Sequence, residues 1–398
     1  MIVKDLFNWK TPACSKELTG ATRIVVLAVS ATVLALIIAF RPGSPAATAS
    51  ASTKNNQAQI QVARMGGEVT VHAAGRGNPF ISLSDGHELI TPYNGPVELT
   101  SVLERNEARP LSLCSADFDE DGVPDLISGY AGPNAGIVTL LRGNVDSIYP
   151  NAPQAQQRRA EGTFTDAPFL SPAFVFAVPE AVDFIGAGDF DGDGHWDVVA
   201  ASRGGHHLYL MSGDGKGGFR QTKPIDLPGG VTAMIVGEIN RRDGLDDVVV
   251  GVSGQQGSMV LVFEGPEGAL RATPETFALA AEATSLALGQ LDESYEMDLA
   301  IAGGRELMIV HGRDRRLSLD ARRQAEVRPA ALSYRRFPRK ILSVTIGDFT
   351  GSQKSNDLAI ALSDGTLHTL IPDKTAGDSS ATRSWLAEWR DEESAALS

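Results

Sequence analysis

Nine residues near the middle of the chain, Asp189-Phe190-Asp191-Gly192-Asp193-Gly194-His195-Trp196-Asp197, carry four carboxylates at the first, third, fifth and ninth places. The run opens directly into the apolar stretch Val198-Val199-Ala200-Ala201. A near copy, Asp117-Phe118-Asp119-Glu120-Asp121-Gly122-Val123-Pro124-Asp125, precedes Leu126-Ile127-Ser128-Gly129. Acids this close repel one another unless a counter-charge sits among them. A glycine where the chain must turn lets a short loop wrap a hard cation in oxygen ligands. Calcium suits such a loop best, because it accepts six to eight oxygens in flexible geometry.

Weaker copies of the pattern follow. Glu238 leads through Asn240, Arg242 and Asp243 to Asp247, Gln290 through Asp292 to Asp298, and Asp348 through Thr350 and Ser352 to Asp357. Each ends at an apolar strand such as Val248-Val249-Val250 or Leu299-Ala300-Ile301. The starts at 117, 189, 238, 290 and 348 are 72, 49, 52 and 58 residues apart, a period that marks a repeat array. These three loops have lost acids the first two keep, so they read as turns held for shape by hydrogen bonds in place of an ion.

The elements that must position these loops are short strands rich in Val, Ile and Leu, punctuated by Gly, Asp and Pro. After the N-terminal segment, no long stretch has helical periodicity. About four strands per unit at this period fit the blades of an all-β propeller, which limits exposed sheet edges by closing into a ring. A parallel β-solenoid is the structural alternative, though its repeats are usually shorter.

The unit from Ser115 to Pro133 resembles an FG-GAP repeat of the integrin-alpha type. The unit from Gly186 to Phe219 resembles its bacterial relative, the VCBS repeat. The likeness extends over residues 61–373 and implies a propeller of six or seven four-stranded blades. Glu68-Val69-Thr70-Val71-His72 and Phe80-Ile81-Ser82-Leu83 supply strands for a blade with no acidic loop. The resemblance also implies calcium ligands at loop positions one, three, five and nine, with a backbone carbonyl at seven. Carried over, these are Asp117, Asp119, Asp121 and Asp125 with the Val123 carbonyl, and Asp189, Asp191, Asp193 and Asp197 with the His195 carbonyl. The ions would be structural, as in many extracellular modules.

Residues 24–40 are apolar throughout and follow a basic leader, residues 1–23, containing Lys4, Lys10, Lys16 and Arg23. Seventeen residues is the lower limit for a spanning helix and slightly long for a signal-peptide core. We read this run as an anchor with a cytoplasmic N-terminus, the alternative being cleavage near Ala47-Thr48-Ala49 or Ala49-Ser50-Ala51. Both readings export the repeats to a calcium-rich compartment, either at a cell membrane or as a secreted or periplasmic protein. Residues 41–60 form a low-complexity linker and residues 374–398 an acidic tail. Cys14 and Cys114 fall on opposite sides of the membrane in this reading, which forbids a disulfide between them.

A net charge of −14 argues against nucleic acid as a partner. The Arg-rich stretch 313–340 reverses the local sign; it reads as a solvated connection with ion pairs in preference to a docking patch. The polar insertion from Asn144 to Pro172 accounts for the longest repeat step. No Gly-x-Ser-x-Gly elbow or His-Glu-x-x-His helix occurs, and the clustered Asp residues make poor proton donors if they ligate metal. The resemblance, with no catalytic motif beside it, implies a non-catalytic interaction or adhesion module for a glycan or an extracytoplasmic envelope protein. A polysaccharide lyase or hydrolase and a structural subunit of an envelope complex are the alternatives.

Overall fold

A computed structural model describes residues 70–72, 80–82, 91–239, 244–265, 267–292, 296–313, 327–351, 356–372 and 389–394. The apolar run 24–40, the linker and Trp385 lie outside the described residues. Among those described, no helix is long and apolar enough to cross a membrane. The chain divides into two compact units, 1–90 and 91–398. In the first, β1 (Thr70–His72) pairs antiparallel with β2 (Phe80–Ser82), in line with the strands read from the sequence.

The second unit holds five sheets in sequence, each an antiparallel meander. The first sheet contains β3 (Tyr93–Asn94), β4 (Arg109–Ala116), β5 (Asp125–Ala131), β6 (Gly136–Leu141) and β7 (Ala173–Val178); β3 is an extra parallel strand on the β7 edge. The second is β8 (Phe184–Gly188), β9 (Asp197–Ala201), β10 (His207–Met211) and β11 (Lys223–Asp226). The third is β12 (Gly230–Gly237), β13 (Asp247–Gly254), β14 (Gly257–Phe263) and β15 (Glu275–Leu279). The fourth is β16 (Ala283–Gly289), β17 (Asp298–Gly303), β18 (Glu306–Val310) and β19 (Leu332–Arg336). The fifth is β20 (Ile341–Gly347), β21 (Asp357–Leu362), β22 (Leu367–Ile371) and β23 (Arg390–Ser394).

Successive sheets stack face to face, as propeller blades do. Val198 and Ala200 pack with first-blade residues Ile127, Val138 and Leu140, while Val199 and Ala201 pack with Val248, Val250 and Val252 of the third blade. A strand covered on both faces has no polar side to present. This explains why β9, β13 and β17 read as unbroken apolar runs without alternation. The innermost strands approach closely where they lack side chains. A Cβ on Gly186 of β8 would lie 2.3 Å from Val236 of β12, and one on Gly289 of β16 would lie 2.5 Å from Ile346 of β20.

In a four-stranded meander the first and third connections share one end. That end carries every acidic turn and also the long connections 142–172, 212–222, 264–274, 311–331 and 372–389. At the other end the hairpins are short, from 255–256 to 202–206.

Three departures from the sequence reading have local causes. Helices form at Val97–Glu104, which covers Ile137 and Val175 with Leu103, and at Val145–Ile148 and Pro153–Glu161 within the insertion. All are too short for periodicity to reveal. Pro153 in the first turn and Gly162, left-handed at φ 73°, were nevertheless start and stop signals. The fourth strand of the second blade is Lys223–Asp226, whereas Gly218–Arg220 makes only one bridge, Gly213 to Phe219. Finally, the acidic tail contributes β23, and Trp389 ahead of it is buried in the fifth-blade core.

Candidate metal centres and the loop face

Both complete loops fold around their own carboxylates. In the first, Asp117 accepts from the Asp121 and Gly122 amides at 3.0 and 2.9 Å, and Asp121 accepts from the Val123 amide at 2.9 Å. In the second, Asp189 accepts from Gly192, Asp193 and Gly194 at 2.7, 3.1 and 2.8 Å, and Asp193 accepts from the His195 amide at 3.1 Å. Gly122 and Gly194, both at φ 88°, make the left-handed turn that lets position one see those amides.

Position nine does a different job. Asp125 and Asp197 open the second strands and are almost wholly buried. One oxygen of Asp125 accepts from the Phe118 amide at 2.9 Å and the other from Gly143 at 2.7 Å. Asp197 likewise accepts from Phe190 at 3.0 Å and Gly213 at 2.8 Å. The carboxylate thus ties its loop to the end of the third strand. In the three loops that lack some of these acids, position nine again accepts from its own loop, and in one of them, Asp298, also from the end of the third strand. Asp247 accepts from Ile239 at 2.8 Å, Asp298 from Leu291 and Gly312 at 2.9 Å each, and Asp357 from Phe349 and Thr350 at 3.1 and 3.0 Å. The turns at 290 and 348 thus carry hydrogen bonds from their own amides to position nine; Asn240, Arg242, Asp243 and Ser352 lie outside the described residues.

Position three faces the interior of each loop. Asp117, Asp119 and Asp125 each bring one oxygen within 4.8 Å of the others, as do Asp189, Asp191 and Asp197. Asp121 and Asp193 stand outside these groups, and Asp193 lies 3.0 Å from Arg220. One buried oxygen of Asp119 and one of Asp191 have no hydrogen-bond partner among the described residues. Burial, reinforced by the neighbouring acids against the pull of backbone amides, pushes the carboxyl of Asp125 up to about 6 and that of Asp197 up to about 7. Three convergent acids, one with an orphaned oxygen, fit a hard divalent cation.

One contributor carried no sequence signal, because it lies outside the loops. The residue after the third strand, just ahead of the next glycine, reaches position three. Arg142 stands 3.9 Å from Asp119, Ser212 donates to Asp191 at 2.8 Å, and His311 lies 3.9 Å from Asp292 and 3.6 Å from Asp298. Burial opposes a charge on His311, but Asp292 and Asp298 prevail and raise its pKa to about 9. The His195 ring, whose carbonyl was the expected ligand, reaches across to Glu120 of the first blade's loop at 2.7 Å.

Position two forms the blade interface. Phe118, Phe190, Ile239 and Leu291 are 2, 0, 3 and 1% exposed, each packed in the core shared with the following blade. Phe349, in the same place on the fifth blade, is 49% exposed. In the Arg-rich stretch, Arg313 pairs with Glu275 and Arg335 with Asp391, both at 2.7 Å, and Arg339 with Asp364 at 3.4 Å.

Residues 189–250 match the family model of an FG-GAP-like repeat. No curated protein sequence matches the chain. Among solved structures, BBS1N in complex with ARL6DN is similar in its lead-soaked crystal at 14% identity and a TM-score of 0.41, over 68% of this chain and 65% of that one. The chain thus spans slightly less than two thirds of that relative's length. An active polycomb repressive complex 2 in the basal state gives 8% identity, a TM-score of 0.42 and coverage of 69% and 51%. The Dos1 propeller gives 13%, 0.39, and coverage of 66% and 55%.

Proposed function

We propose that the chain, a β-propeller with an FG-GAP-like repeat at residues 189–250, works as a calcium-stabilised, non-catalytic interaction module whose ligand docks on the loop-rich end. The observation that carries this reading is the gathering of the acidic turns and the five third-to-fourth-strand connections at one end of the blades. Long loops on a rigid scaffold are where recognition concentrates.

Calcium would sit in the first two loops, held by Asp117, Asp119 and Asp125 and by Asp189, Asp191 and Asp197. The Val123 and His195 carbonyls, with Asp121 and Asp193, would complete the oxygen shells. At about 1 mM free ion and a dissociation constant of about 0.1 mM, each site adds roughly 1.4 kcal/mol of stability. The half-exposed Phe349, whose four counterparts are covered by a following blade, supports a further blade beyond the fifth and a ring of six or seven. Residues 24–40 would hold the module at a membrane with the propeller outside the cytoplasm. The ligand in that compartment is a glycan or an envelope protein.

The test is a glycan and envelope-protein binding screen with the full chain, with and without chelator. Selective binding lost on substituting loop-end residues such as Trp196 supports the reading. Binding that survives those changes and follows the short-hairpin end would overturn it. For calcium, Asp191→Ala should lower the melting temperature in calcium and leave it unchanged in chelator; equal losses in both media remove the ion.

A further inference from the structure

The fourth blade brings together Asp292, Asp298 and His311, the one group of three in which a ring nitrogen joins two carboxylates among the described residues. We propose that these three side chains form a binding site for a borderline transition-metal ion of the zinc class, distinct from the calcium loops and independent of them.

The distances favour an ion over a direct contact. His311 Nδ1 is 3.6 Å from Asp298 Oδ1 and 3.9 Å from Asp292 Oδ2, too far for a hydrogen bond. Two ligands of one tetrahedral ion, each bonded at about 2.0–2.2 Å, lie about 3.4 Å apart. A small closing movement brings all three atoms into range.

The ring is also oriented for the task. Its other nitrogen, Nε2, lies 2.8 Å from Ser333 Oγ on the adjacent strand, so Nδ1 is the atom turned to the acids. An outer partner of this kind fixes ring and tautomer at histidine metal ligands. Asp298 is anchored by the amides of Leu291 and Gly312, yet each of its oxygens keeps a second lone pair.

Donor chemistry selects the metal. Gln290 stands where the calcium loops have their first acid, and a nitrogen donor suits zinc and its neighbours better than calcium. Asp292 retains 29% of its side-chain exposure, which leaves a route for the ion and for a water as fourth ligand.

The test uses the full chain, stripped with chelator and then saturated with calcium so that the first two loops are filled. Titration with Co2+ should give one equivalent with the intense visible absorption of a tetrahedral nitrogen–oxygen site, bleached by Zn2+. His311→Ala and, separately, Asp292→Asn should each abolish the band, and Ser333→Ala should weaken binding at least about tenfold. Asp292→Asn is the control for folding, because that side chain is partly exposed and the amide keeps its size. No band in the wild-type chain, or a band that survives either substitution, overturns the site.

Discussion

The acidic loops combine two kinds of aspartate that the sequence presents as one. In the two complete loops position three offers an orphaned oxygen to the interior, while position nine spends both oxygens on backbone amides. Asp357 holds its turn through one oxygen alone, which takes the Phe349 and Thr350 amides and the Thr350 hydroxyl. Asp357→Ala should therefore cost about 2–3 kcal/mol, the range for a hydrogen bond to a charged group, and equally with and without chelator. Urea unfolding in the two media measures this, and contrasts with the calcium-dependent loss expected for Asp191→Ala. The residue after the third strand makes the two complete loops unequal as proposed calcium sites. Arg142 places a cation 3.9 Å from Asp119, where the second loop has the neutral Ser212. Arg142→Ser should tighten the first loop's calcium affinity by roughly fivefold, since a unit charge at this distance is worth about 1 kcal/mol or more. Terbium luminescence titration distinguishes the two loops. Positions one to nine were legible because their carboxylates are consecutive; Arg142, Ser212 and His311 were not, because only strand pairing brings them near.

At the scale of elements, a half-exposed ion pair links the two helices of the insertion. Arg158 of the helix Pro153–Glu161 donates through both Nε and Nη2 to Asp146 of the preceding helix, the first at 2.6 Å. That hydrogen bonding holds the Asp146 carboxyl below the usual carboxylate range. A depressed carboxylate contributes stability above its unfolded value near 3.9, and loses it as pH falls through the folded value. Amide exchange across 153–161 should stay slow from neutral pH to about pH 5 and accelerate only below about 4, relative to the rest of the chain. In Arg158→Ala the segment should exchange fast throughout, with no such step. The polar makeup of this helix suggests a flexible loop when read alone. Its order comes from Asp146, seven residues outside it, and from Ala155 alone among its apolar positions.

At the scale of the molecule, the repeat was visible in the sequence because the second strands of the second, third and fourth blades are covered on both sides and must be apolar. Outer strands are half-solvated and lose that signature. Lys223–Asp226 and Arg390–Ser394 both escaped detection for this reason, and charge on an edge strand is a common guard against unwanted pairing. The fifth blade nevertheless depends on the second of these. Trp389 is 5% exposed among Ile360, Leu362 and Leu370, so Trp389→Ala should destabilise the chain by about 3–5 kcal/mol in urea titration. The same substitution at the half-exposed Phe349 should cost far less, unless a following blade covers it.

That the last strand returns from so far along the chain also sets a timetable for biosynthesis. Leu367–Ile371 leaves the ribosome well before Arg390–Ser394, its partner. At about 5–20 residues per second the interval is roughly one to four seconds. During it the nascent fifth sheet has three strands and a bare margin of amides and carbonyls. Any factor that handles the emerging polypeptide meets that margin first, ahead of the completed sheet.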